Sequence, residues 1–259
     1  MLFLLHGWGD VAASFQFVVD ALRREWRVVA PDWRGFGASQ WNAGPYWFPD
    51  YLADLDALLT QFSPGTPTRL VGHSMGGNVA TLYAGIRPER VAGVVNLEGF
   101  GLRPTDAAEA ADRYAKWLEQ MDEGAHFRTY ADRPTFAQRL RHDNPRLAPA
   151  RAAFLAEHLA EETAGGVRFA ADPCHRWVNP ILYRIEEAKA IWRRVAAPML
   201  WVRGADSKFM REYIPTEDDY RQRLACFTDV RDVLLADCGH NIHHDRPEET
   251  ARLIEEFFV

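Results

Sequence analysis

The stretch Arg69-Leu70-Val71-Gly72-His73-Ser74-Met75-Gly76-Gly77 decides the fold. It runs from an apolar, strand-like segment through Gly-x-Ser-x-Gly into a helical pattern carried by Val79, Leu82, Tyr83 and Ile86. Between a strand and a helix this motif describes a sharp turn. Glycines two residues before and two after Ser74 let the backbone pass close to itself, and the serine hydroxyl is left exposed at the tip. The helix that follows points its amino terminus at the place where negative charge would develop on a reacting carbonyl. Ser74 is therefore the candidate nucleophile. The plain alternative is a glycine-rich packing turn with an inert serine.

Working outward, the same alternation recurs. Leu2 to Leu5, Arg27 to Ala30, Arg69 to Gly72 and Val91 to Leu97 are short apolar runs. Between them lie helical faces, Phe15/Val18/Val19/Leu22 and Leu52/Leu55/Leu59/Phe62. After a helix through Ile181, Ile185, Ala188 and Trp192, two more runs follow, Met199 to Val202 and Val230 to Ala236, then a last helix with Leu253, Ile254, Phe257 and Phe258. Strands alternating with helices predict an α/β fold with a mostly parallel central sheet flanked by helices. The rhythm breaks between residues 101 and 179, where only helical patterns and breakers such as Pro134, Asn144-Pro145, Gly165-Gly166 and Pro173 occur. Residues 1–100 and 180–259 thus read as the core, and 101–179 as an inserted helical segment.

Composition removes several classes of function. The 259 residues are 47% hydrophobic and 25% charged, as an ordered globular chain requires. Net charge is −6 with no basic block, so nucleic acid is not an expected partner. No apolar run approaches the roughly 18 residues of a membrane span. Cys174, Cys226 and Cys238 match neither a zinc site nor a CxxC pair. Sparse, odd cysteines and an opening Met1-Leu2-Phe3-Leu4-Leu5 too short for a signal peptide set a cytoplasmic location as the expectation.

A serine needs a base. His240, in Asp237-Cys238-Gly239-His240, follows the last strand-like run and precedes the last helix, so it belongs at the same sheet edge as Ser74. His243 and His244 read as loop residues. His240 and His244 have i,i+4 spacing, but the glutamate of HExxH is missing, so no metal is expected.

With these residues placed, nearly the whole chain resembles the α/β-hydrolase superfamily. The marks are His6-Gly7-Trp8-Gly9 after the first strand, Asp32-Trp33-Arg34-Gly35-Phe36-Gly37-Ala38-Ser39 after the second, Gly72 to Gly77, and Gly239-His240. The His-Gly-Trp-Gly stretch is similar to that of lidded esterases of the pimeloyl-carrier-protein methyl ester type. The resemblance implies an oxyanion hole from the backbone amides of Trp8 and Met75, and a helical cap formed by residues 101–179. It casts Arg34 as a residue that orders backbone carbonyls. Family members usually carry further strands before the His-Gly strand, so about six strands are expected, with an exposed or partner-covered edge.

The family order Ser, acid, His selects Asp206 as the triad acid, after the Met199 to Val202 run. Its spacing from Gly204 is one or two residues short of the common pattern. Glu98 is the alternative, because a glutamate ending an apolar strand is costly to bury without a role. The implied activity is hydrolysis of a carboxylic ester through an acyl-serine intermediate, with no cofactor. Thioester hydrolysis, acyl transfer and carbon–carbon bond hydrolysis use the same triad. Epoxide hydrolases and haloalkane dehalogenases place aspartate where Ser74 stands. A reading of another kind is a non-catalytic small-molecule-binding protein on a hydrolase scaffold. The aromatic residues of the insertion, Trp117, Phe127, Phe136, Phe154, Phe169 and Trp177, predict a small-molecule ester or acyl substrate with an apolar group. Arg113, Arg128, Arg133, Arg139, Arg141 and Arg176 are candidates to recognise a carboxylate.

Overall fold

A computed structural model describes residues 1–42, 44–214 and 216–259. Its six-stranded sheet is built from β1 (Leu2–Leu5), β2 (Val28–Val29), β3 (Thr68–His73), β4 (Val91–Leu97), β7 (Met199–Gly204) and β8 (Val230–Leu235). The spatial order is β2-β1-β3-β4-β7-β8, and every pairing is parallel. Central strands of such a sheet are covered on both faces, which is why β1 reads as an unbroken apolar run.

Side chains alternate across the sheet. Leu2 and Leu4 join Val71, Val95 and Leu200 in a core closed by α1 (Gln16–Ala21) and α11 (Pro247–Phe257). Phe3 and Leu5 face the opposite core, closed by α2 (Phe48–Phe62), α3 (Met75–Ile86) and α7 (Ile185–Trp192). The helix expected from Ile181 starts only at Ile185, and Ile181 lies exposed before it. The β2 edge is a two-residue strand, too short to offer much of a template to another chain.

Residues 101–179 hold α4 (Ala110–Glu123), α5 (Arg133–Asp143) and α6 (Pro149–Leu159). They also hold an antiparallel hairpin of β5 (Ala160–Thr163) and β6 (Gly166–Phe169), which the all-helical reading missed. Its strands are short and its first carries Glu161-Glu162-Thr163, so no apolar run marks it. Gly165-Gly166, read as a breaker between helices, closes the hairpin; Gly166 has φ 128°, and a Cβ there would meet the Tyr130 carbonyl at 2.0 Å. α5, α6 and β6 share a small core of Phe136, Leu147, Leu155, Leu159 and Val167, joined by Val11 from the loop after β1. The two ends of the segment meet: the Thr105 amide and hydroxyl donate to the Tyr183 carbonyl at 3.3 and 2.9 Å. The remaining helices are α8 (Lys208–Tyr213), α9 (Glu217–Leu224) and α10 (Ile242–Asp245).

Register fixes where chemistry can occur. His73 pairs with Leu97, and Leu97 with Val202, so β3 and β4 end level and β7 runs two residues further. The loops that follow leave from one carboxyl edge, the usual ligand-binding edge of an open parallel sheet.

Candidate active site

Ser74 sits between β3 and α3 with φ 49° and ψ −113°. That conformation is unfavourable for a residue with a Cβ and is typical of functional turns. The turn is held by the Ser74 amide donating to the Leu97 carbonyl at 2.8 Å and by the Asn78 amide donating to the Ser74 carbonyl at 3.0 Å. Close approach explains the glycines: a Cβ on Gly76 would lie 2.1 Å from the Leu5 carbonyl oxygen. Gly7 packs against the serine itself, since a Cβ there would lie 3.2 Å from Ser74 Cβ and 2.8 Å from His73 Nδ1. The His6-Gly7-Trp8 turn therefore lies beside Ser74. Trp8 is 53% exposed, and Met75 opens α3, where an amide has no acceptor within the helix.

Glu98 follows β4 directly, with φ 60° and no solvent exposure. Its Oε2 lies 3.0 Å from His240 Nδ1, accepts from the Ser207 hydroxyl at 2.5 Å, and its Oε1 accepts from the Gly204 amide at 2.8 Å. A carboxylate facing Nδ1 fixes that nitrogen as the protonated one and leaves Nε2 free to act as a base. Burial pushes the Glu98 carboxyl up to about 8, while the bonds from Ser207 and Gly204 pull it back toward the anion. Burial likewise pushes the His240 imidazole down to about 4. Desolvation thus penalises charge on both members, and an ion pair would form between them only when His240 takes up a proton.

Asp206 stands elsewhere. Its side chain is 45% exposed and pairs with Arg146, while its amide donates to the Cys238 carbonyl at 2.9 Å. The residue of that loop that turns inward is Ser207, which also accepts from the Met210 amide to begin α8. One step along the loop separates the two outcomes, which explains the short spacing noted for Asp206: the loop delivers a hydroxyl to Glu98 instead of a carboxylate to His240.

The structure also brings in residues to which the sequence gave no role here, and it places His243 and His244, read as loop residues, buried in the short helix α10. Phe209 stacks on the His240 ring at 4.4 Å. His73 Nε2 lies 2.9 Å from the His240 carbonyl oxygen. Asp10, His73 and His243 are buried with potential ligand atoms within 4.8 Å of one another, a composition that suits a metal. Their hydrogen bonds already use the obvious atoms: Asp10 Oδ2 takes Ser14 Oγ at 2.8 Å and His243 Nε2 at 3.1 Å. The signal available for them was spacing alone, Asp10 after His6-Gly7-Trp8-Gly9 and His243 three residues after His240.

A cavity of about 130 Å³ reaches His240 from under the insertion, lined by Trp8, Asp10, His73, Leu147, Leu155 and His240. The arginines of the insertion are mostly committed nearby: Arg113 to the Asn179 carbonyl, Arg133 to Glu157 and Glu162, Arg139 to Asp143, Arg141 to the Leu147 carbonyl and Arg176 to the His126 carbonyl. Arg128 lies over the Tyr130 ring. Arg34 pairs with Asp54 and Asp50, so its partners are carboxylates and not the backbone carbonyls anticipated for it. Among the described residues no helix is long and apolar enough to cross a membrane.

Comparison with known proteins agrees with this architecture. A serine hydrolase-like protein of Danio rerio is 30% identical over 98% of this chain and 79% of its own length. The pimeloyl-[acyl-carrier protein] methyl ester esterase of Aliivibrio salmonicida is 32% identical over 44% of this chain and 41% of its own. Among solved structures, a thioesterase domain from the curacin biosynthetic pathway superposes with a TM-score of 0.87 at 26% identity, covering 98% of this chain and 90% of that one. The family model for the alpha/beta hydrolase fold matches residues 1–247, and the chain belongs to that family of hydrolases.

Proposed function

We propose that this hydrolase cleaves a carboxylic ester through an acyl-serine intermediate, with Ser74 as nucleophile, His240 as base and Glu98 as the triad acid. The observation that carries the reading is the 3.0 Å contact between His240 Nδ1 and Glu98 Oε2, one loop away from a serine held on a strained turn. In this mechanism His240 Nε2 takes the Ser74 proton as the hydroxyl attacks the carbonyl carbon. The amides of Trp8 and Met75 receive the oxyanion. His240 returns its proton to the leaving alcohol, and water repeats the cycle to release the acid. Glu98 holds the productive tautomer and stabilises the imidazolium. Burial of His240 favours a relay in which the imidazolium appears only transiently.

Residues 101–179 act as the cap in this reading, since Leu147 and Leu155 wall the cavity that reaches His240. Its volume of about 130 Å³ approaches that of a cavity of roughly 150 Å³ able to hold benzene, and its mixed walls suit a short apolar acyl or alkoxy group. A thioester is the second reading, favoured by the likeness to the thioesterase domain.

A fluorophosphonate probe with peptide mapping tests the chemistry, and label on Ser74 is the expected result. A non-catalytic binding protein on the same scaffold would stay unlabelled. p-Nitrophenyl esters from acetate to decanoate, with butyryl thioester alongside, then test the substrate. Acetate to butyrate should react best. A decanoate optimum would overturn the short-chain assignment, and a faster thioester would select the second reading.

A further inference from the structure

Under the three loops of the site lies a polar cluster that the relay does not use. His73 is the last residue of β3 and directly precedes Ser74. Its Nε2 is 2.9 Å from the His240 carbonyl oxygen, so it must carry hydrogen and donate. The strand end that delivers the nucleophile is thereby bonded to the main chain of the base. His243 packs on His73 with ring centroids 4.3 Å apart and directs Nε2 to Asp10 Oδ2 at 3.1 Å. Asp10 Oδ1 accepts from the Val11 amide at 2.9 Å, fixing the loop that contains Trp8.

We infer that Asp10, His243 and His73 are positioning residues: a buried staple that holds the loop of His240 in register with the turn of Ser74 and the loop of Trp8. His240 is then held twice, through Nδ1 by Glu98 and through its carbonyl by His73. With both ends fixed, Nε2 has one direction in which to face. Simple packing does not account for these residues. Among the described residues, His73 Nδ1 and His243 Nδ1 are buried without a partner, a cost that phenylalanine or leucine would avoid. Burial also pushes His73 down to about 3 and His243 well below its ordinary value, so both stay neutral and keep one tautomer across the working pH range.

The staple rests on the proposed catalytic reading, and its test separates the two. His73→Phe keeps a ring and removes the donor; His73→Gln restores an N–H at similar reach. On p-nitrophenyl butyrate, His73→Phe should lower kcat by about 10²-fold, the effect of a misplaced catalytic group, with KM little changed. Its fluorophosphonate labelling should slow in parallel, and its thermal midpoint should be equal or higher. His73→Gln should recover most of kcat. If His73→Phe does not fold, His243→Phe serves as the second variant, with a kcat loss of the same sign expected. Folded phenylalanine variants with wild-type kcat would overturn the staple, as would a His73→Gln loss equal to that of His73→Phe. A wild-type protein unlabelled at Ser74 would overturn the catalytic reading and the staple with it.

Discussion

At the carboxyl edge of the sheet, Glu98, His73 and His243 are polar and at most 3% exposed. In α4 no residue is buried, and Tyr114, Leu118 and Met121 stand 44%, 56% and 41% exposed along one face. The first region keeps costly groups inside and holds them with directed bonds. The second leaves apolar groups outside and is tied down by a few side chains, among them Arg113 on the Asn179 carbonyl and Gln120 on the Val178 amide. Buried polar groups constrain geometry because each needs its partner in place, whereas an exposed helix constrains little. The difference puts the tightly fixed geometry at the sheet edge and the looser packing in residues 101–179.

The most severe way to break the contrast is at the nucleophile. Ser74→Ala should lower kcat by a factor on the order of 10⁶ without loss of fold, read by ester turnover and circular dichroism. A variant that still turns over would move the chemistry away from this edge. Next, the two candidate carboxylates, after the neighbouring strands β4 and β7, can be set side by side. Glu98→Gln should cost about 10⁴-fold in kcat, by analogy with other triads. Asp206→Asn, at an exposed ion pair worth about 0–1 kcal/mol, should leave kcat nearly unchanged. The reverse ranking would restore Asp206 as the acid.

Stability sharpens the same contrast. Trp192 is 1% exposed beneath the sheet, so Trp192→Ala should cost about 3–5 kcal/mol in urea unfolding. Leu118→Ala in α4 should stay within about 0.5 kcal/mol. A large loss at Leu118 would show that α4 is covered in solution. The smallest effect is on pH. His73, His243 and His244 are held below their ordinary values by burial, so each binds a proton on unfolding once pH falls below about 6.5. Stability is complete above that value and should fall as pH drops, by about 1.4 kcal/mol per pH unit for each histidine. Urea midpoints flat between pH 6.5 and 5 would contradict a neutral, buried cluster.

The sheet was legible because its strands carry apolar runs bounded by glycine, proline and aspartate, even in β8 with its Arg231-Asp232, and each expected run is a strand. The Ser74 turn was legible for a related reason: close backbone approach leaves glycine as the residue that fits. What escaped depends on contacts between distant segments. The choice between Glu98 and Asp206 turns on which side chain of the Gly204 to Ser207 loop faces inward, and one residue of rotation reverses it. Glu98 gave a local hint, a charge ending an apolar strand, but its partner lies 142 positions away. The hairpin in the insertion is short, polar and held by Tyr130, so its pairing left no periodic trace.

The meeting of Thr105 with Tyr183 has a broader consequence. The inserted segment leaves and re-enters the molecule through one narrow gate, so its length is nearly invisible to the rest of the chain; closure entropy grows only with the logarithm of loop size. The number of residues between the two can therefore change at small entropic cost, provided the contacts that tie the segment to the sheet edge, such as Val11 in its core and Asn144 on Asp245, are kept.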